Sequence, residues 1–102
     1  MKVAAIVPSA GKGKRLKSHI EKPYIELRCK PILAHTLAAL SRNKNIHEII
    51  VAVAKGKIGR IKNIISEYHL NKVKFVIGGK ERFDSVYNAL KIVSPGIDYV
   101  LI

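Results

Sequence analysis

Four short apolar runs alternate with stretches whose apolar residues recur at helical spacing, and that alternation restricts the chain to an α/β architecture. The runs extend from Lys2 to Pro8, Ile49 to Val53, Val73 to Ile77 and Tyr99 to Ile102. Their near-continuous apolar character is what a parallel strand buried on both faces requires. Pro31 is expected to open the first helix, at the position where a missing N–H costs nothing, and Leu33, Leu37 and Leu40 give that helix one apolar stripe. Ile58, Ile61, Ile65 and Tyr68 mark a second helix beyond Gly56. A third runs from about Arg82 to Val93, with Val86, Ala89, Leu90 and Val93 on one face, and Ser94-Pro95-Gly96 ends it. Tyr24 to Arg28 reads as a short extended piece. Right-handed crossovers are expected, with ligands at the carboxyl ends of the strands. Two segments fall there: the loop after the first run and the turn from Gly78 to Ser85.

A chain of 102 residues is one domain, burying roughly two-thirds of the surface its unfolded form exposes. With 48% hydrophobic residues a packed core is available, which excludes disorder. The one cysteine, Cys29, cannot form an internal disulfide, so a reducing, cytoplasmic setting is expected. Val3 to Val7 is too short for a signal-peptide core, and no run is long enough to span a bilayer, so no membrane partner is expected. The formal charge of +12 attracts phosphates of any kind. Its lysines, however, are spread along the chain without interleaved aromatic residues, which disfavours a nucleic-acid surface. The cluster Lys12, Lys14, Arg15 and Lys17 is the exception.

That cluster belongs to Pro8-Ser9-Ala10-Gly11-Lys12-Gly13-Lys14-Arg15-Leu16. Glycines let backbone N–H groups wrap a phosphate, and the cations neutralise it. The loop is not a Walker loop, which needs four residues between its glycines and then Lys-Ser/Thr. Nor is it a dinucleotide fingerprint, whose third glycine is replaced here by Leu16. Lys22-Pro23-Tyr24 follows, where Pro23 biases Lys22 to an extended backbone. The third motif is Gly78-Gly79-Lys80-Glu81-Arg82-Phe83-Asp84-Ser85. Two glycines at a strand's end permit close approach of a flat base, and the helix N-terminus beyond them favours an anion. Read singly, these are an ordinary strand-to-helix turn, a surface lysine and a glycine turn.

In order, Pro8-Ser9-Ala10-Gly11-x-Gly13-x-Arg15, Lys22-x-Tyr24, Lys30-Pro31-Ile32-Leu33 and Gly78-Gly79-x-x-Arg82-x-x-Ser85-Val86 resemble the 2-C-methyl-D-erythritol 4-phosphate cytidylyltransferase family. Ribitol-phosphate cytidylyltransferases share much of the pattern. The resemblance covers this whole chain but about the first half of a family member. It implies a partial doubly wound, mainly parallel sheet of Rossmann-like nucleotidyltransferase (GT-A-like) topology. Residues 1–102 would be the N-terminal nucleotide-binding part of a single nucleotidyltransferase domain, truncated at its C-terminal end and inactive alone. The implied reaction transfers CMP from CTP to 2-C-methyl-D-erythritol 4-phosphate, releasing pyrophosphate, on the non-mevalonate route to isoprenoid precursors. Arg15 and Lys22 match the catalytic cations; Ser9, Ala10, Gly11, Lys12 and Gly13 match the loop that holds the nucleotide; Gly79, Lys80 and Ser85 match the cytidine pocket. Three positions depart from the pattern: Ser9, where alanine is usual, Pro23, where glutamine is common, and Lys80, where some members carry Asp. A lysine cannot accept the hydrogen bond of a cytosine amino group. The full-length family is expected to be homodimeric.

The same resemblance implies Mg²⁺ across the phosphates, with its carboxylate expected beyond Ile102. Asp98 stands at the amino end of its strand, and Glu81 and Asp84 lie in a helix start, where acids serve the dipole. Glu21, Glu26, Glu48 and Glu67 have no pairing that suggests a site, and His19, His35, His47 and His69 show no ligand or triad spacing, so no metal site is expected among these residues. The fourth strand is expected beside the first, with an apolar outer edge that makes the chain alone prone to self-association. The reading from a different class is a small basic module that binds nucleic acid or another polyanion, recognised by a steep salt dependence.

Overall fold

Ile49, Ile50, Val51, Ala52 and Val53 are all fully buried, although alternate residues of a strand face opposite ways. Such a strand must lie inside a sheet covered on both faces. The computed structural model describes residues 1–10, 26–27 and 30–102. In chain order the elements are β1 (Val3–Pro8), β2 (Glu26–Leu27), β3 (Lys30–Pro31), α1 (Ile32–Ser41), β4 (Ile46–Val53), α2 (Ile58–Glu67), β5 (Val73–Ile77), α3 (Arg82–Leu90) and β6 (Tyr99–Leu101), with one 3₁₀ turn at Lys55–Lys57. The main sheet has the order β5-β4-β1-β6 and all its pairings are parallel. β2 and β3 form a separate antiparallel pair.

The two faces are distinct. Ala5, Ile49, Val51, Val53 and Val73 pack with Leu33, Ala34 and Leu37 of α1 and Ile61 and Ile64 of α2. On the other face Ile6 and Ile50 meet Ala89 of α3, with Val76, Val93 and Val100 at the margin. Each fully buried aliphatic side chain contributes about 1.5–3 kcal/mol. The expected α/β sheet is therefore observed, with helices on both sides.

Several expected boundaries move. Pro31 has φ −58° and ψ 146°, an extended conformation, and so stands as the N-cap, one position before the helix. β4 begins at Ile46, three positions earlier than the apolar run suggested, because exposed His47 and the charge of Glu48 interrupt the pattern. The buried seam of α2 includes Ile64, which the sequence reading missed; Ile58, Ile65 and Tyr68 lie at its margin. α3 stops at Leu90 rather than Val93. Its chain tightens into i→i−3 bonds, Ile92 N–H to Ala89 O and Val93 N–H to Leu90 O, just before Pro95, which disfavours a helical conformation at the residue preceding it. Leu90 is 44% exposed and belongs with Phe83 and Tyr87 on the outer face; Ser85 and Ala89 form the inner one. β6 pairs with β1 through Val3↔Tyr99, as expected. Asp98 accepts the Lys2 N–H at 2.9 Å and donates its own N–H to Lys2 O at 2.8 Å, which fixes it at the amino end of the sheet.

Glu48 carries the one charge buried within β4. Its Oε2 accepts from Lys74 Nζ at 3.1 Å and from the Ser94 N–H at 3.2 Å, tying β4 to β5 and to the turn after α3. Burial pushes its carboxyl up, but the Ser94 groups and the Lys74 ammonium outweigh that and hold it below the usual carboxylate range. A carboxyl depressed in the folded state stabilises the fold fully above its ordinary value and loses that contribution as pH falls through the depressed one. Glu48→Gln should cost about 1 kcal/mol at neutral pH, since Lys74 is partly exposed and screened. Urea unfolding at neutral pH and at about pH 3 should show the gap between the two proteins closing. An unchanged gap would mean that the charge of Glu48 is not what stabilises this junction.

Candidate functional site

The carboxyl ends of β1, β4 and β5 are laced together by hydrogen bonds, mostly to backbone carbonyls. Ser9, the first residue past β1, donates both its N–H and its Oγ to Ala52 O, each at 2.8 Å. The next carbonyl of β4, Val53 O, accepts the Gly78 N–H at 2.8 Å. Asn88 Nδ2 donates to Ile77 O at 3.1 Å, so α3 holds the end of β5. Within the turn, the Gly79 N–H donates to Ser85 Oγ at 3.2 Å. The loop leaving β1 and the turn leaving β5 consequently touch: a methyl placed on Gly78 would meet the Ala10 and Ser85 side chains.

The structure brings Ser9, Ala10, Gly79 and Ser85 together at this end of the sheet. Ser9 and Ser85 are buried, at 7% and 2% exposure, and their hydroxyls are spent on the hydrogen bonds above. Lys80 stands exposed on the same turn. Gly11, Lys12, Gly13, Arg15 and Lys22 lie outside the described residues. Lys55, exposed in the 3₁₀ turn after β4, and Arg82, exposed at the start of α3, add positive charge to the loops at this end.

One expectation is corrected. The N-terminus of α3 was expected to favour an external anion, but its own acids occupy it. The Glu81 N–H donates to Asp84 Oδ2 at 3.2 Å, and the Glu81 side chain accepts the Asp84 N–H in return, a capping box. Glu81 and Asp84 are thereby committed, Glu48 is paired with Lys74, and Asp98 is at the opposite end of the sheet. Among the described residues no three His, Cys, Asp or Glu side chains gather as a metal site. These residues do not fit Mg²⁺. The sequence reading also missed Asn88 and the carbonyl of Ala52. Neither sits in a recognisable motif, because each acts through a contact between elements. A hollow of about 380 Å³ between α2 and β5, floored by Ile65, Val73 and Phe75, lies away from this constellation.

Parallel strands in the order β5-β4-β1-β6, with Ser9-Ala10 and the Gly78–Ser85 turn meeting at their carboxyl ends, define an α/β protein with a Rossmann-like sheet. The chain matches the family model for 2-C-methyl-D-erythritol 4-phosphate cytidylyltransferase over residues 3–102, and it belongs to that family. The enzyme of that name from Clostridium botulinum (strain Langeland) is 47% identical over 102 residues, 99% of this chain and 44% of the relative. That from Clostridioides difficile (strain 630) is 43% identical over 97% of this chain and 42% of the relative. The crystal structure of 4-diphosphocytidyl-2C-methyl-D-erythritol synthase from Anaerococcus prevotii superposes with a TM-score of 0.79 at 34% identity, covering 96% of this chain and 40% of that one. The chain thus spans less than half the length of these relatives. Among the described residues no helix is long and apolar enough to cross a membrane.

Proposed function

We propose that this chain is the nucleotide-binding part of a nucleotidyltransferase domain that moves CMP from CTP to 2-C-methyl-D-erythritol 4-phosphate and releases pyrophosphate. The observation that carries the reading is the meeting of Ser9-Ala10 with the Gly78–Ser85 turn at the carboxyl end of the sheet, in a chain of this family. An acceptor phosphate oxygen attacks the α-phosphorus of CTP, and the bond to pyrophosphate breaks. Negative charge grows on the non-bridging oxygens, so fixed cations matter more than a proton shuttle. Arg15 and Lys22 are assigned that task, and the backbone of Gly11, Lys12 and Gly13 the cradling of the phosphates. Ser9, whose N–H and hydroxyl are already engaged, anchors the loop instead of binding directly. Gly79 and Ser85 shape the base side of the site. Lys80, a donor only, can serve the carbonyl oxygen or ring nitrogen of a base, or a phosphate, but not an amino group. No step is assigned to Mg²⁺, whose carboxylate would come from outside these residues. A cytoplasmic setting and a homodimeric full-length protein complete the proposal.

Calorimetric titration with the four nucleoside triphosphates tests it, with binding as the readout. CTP should bind best, and Arg15→Ala or Lys22→Ala should weaken it about tenfold or more, the worth of one charge-assisted hydrogen bond. Equal affinity for all four nucleotides, falling steeply with salt, would instead identify a polyanion-binding module.

A further inference from the structure

Gly78 and Gly79 are adjacent yet bare for different reasons. A methyl on Gly79 would fall on the Asp84 side chain, within the start of α3. A methyl on Gly78 would lie 2.5 Å from Ser85 Oγ and closer still to the Ala10 Cβ. Neither neighbour is the loose end of a flexible side chain. The Ala10 methyl moves only with its backbone, and Ser85 is buried while accepting the Gly79 N–H. Backbone would therefore have to shift to admit a side chain at position 78.

Both segments that meet at Gly78 hang from consecutive carbonyls of β4. Ser9 is bonded to Ala52 O and Gly78 to Val53 O. With both ends anchored, the separation of the two segments is set by what lies between them, and what lies between them is a Cα without a side chain. We infer that Gly78 is a positioning residue: it fixes the spacing between the loop that would hold the phosphates and the turn that would hold the base. This role rests on the nucleotide-binding reading above. A ligand that spans both segments senses their separation, and a displacement that breaks one of its charge-assisted hydrogen bonds costs about tenfold or more in affinity.

The test uses this chain and its variants Gly78→Ala, Ala10→Gly, the double variant, and Ile61→Val as a core substitution on the opposite face of the sheet. CTP affinity is measured by calorimetry, and the backbone amide shifts of Ser9 and Ala10 are recorded without nucleotide. Gly78→Ala should weaken CTP about tenfold to a hundredfold, the loss of one charge-assisted hydrogen bond, and move both amides. Ala10→Gly should recover part of that loss in the double variant, a coupling that independent sites do not show. Ile61→Val should lower stability without changing affinity. Wild-type affinity in Gly78→Ala, unmoved amides, or strictly additive effects would each overturn the positioning role. A wild-type chain that fails to bind CTP, while Gly78→Ala still moves the Ala10 amide, would overturn the nucleotide reading and this role with it, leaving the contact itself intact.

Discussion

Shortening Ile49 to alanine is expected to remove about 3 kcal/mol of folding stability. Ile49 is fully buried and sits in β4 between Ala5 of β1 and Val73 of β5, against the layer made by α1 and α2. A domain this size has only about 5–15 kcal/mol in total, so the urea midpoint should fall sharply. The loss combines the missing transfer energy of three carbons with a cavity that flanking strands cannot close. Asn63→Ala, on the exposed side of α2, should change stability by less than about 0.5 kcal/mol. A loss below about 1 kcal/mol at Ile49 would mean that the helical layer is not packed on the sheet as described.

Self-association should be the second large effect. Among the described residues β6 pairs with β1 alone, and Tyr99, Leu101 and Ile102 are more than half exposed. On α3, Phe83 at 77% exposure, Tyr87 at 56% and Leu90 at 44% add apolar surface. An apolar strand edge is a template for pairing with another chain. Sedimentation of the 102-residue chain should therefore show dimers or larger species, and Leu101→Lys should shift the population toward monomer. The charge of +12 opposes association, so added salt should strengthen it by screening the repulsion. Monomeric behaviour at high concentration and high salt would refute the expectation.

Much of this architecture was legible because it is local. The run from Val73 to Ile77 is a strand with those bounds, and the leucines of α1 face the core as their spacing requires. The failures are equally physical. The second apolar run reads as starting at Ile49, after Glu48, yet Lys74 and Ser94 supply the partners that let that carboxylate lie within the strand. Leu90 looked like core, but α3 lies close on the sheet through Ser85 and Ala89, and that contact turns Leu90 outward. The sequence offered the start of α3 both to an external anion and to its own acids, and the reciprocal capping box of Glu81 and Asp84 decides for the acids.

The glycine loop and the glycine turn were both visible in the sequence, each as a separate signal. Alternating periodicities determined an α/β protein with a parallel sheet, because period and burial are properties of neighbouring residues. Tertiary structure alone decided that Ala10 would rest against Gly78, that consecutive carbonyls of β4 would anchor both segments, and that Ser85 would face inward. Those facts depend on strand order and on how closely a helix approaches the sheet, and both are set by packing between residues far apart in the chain.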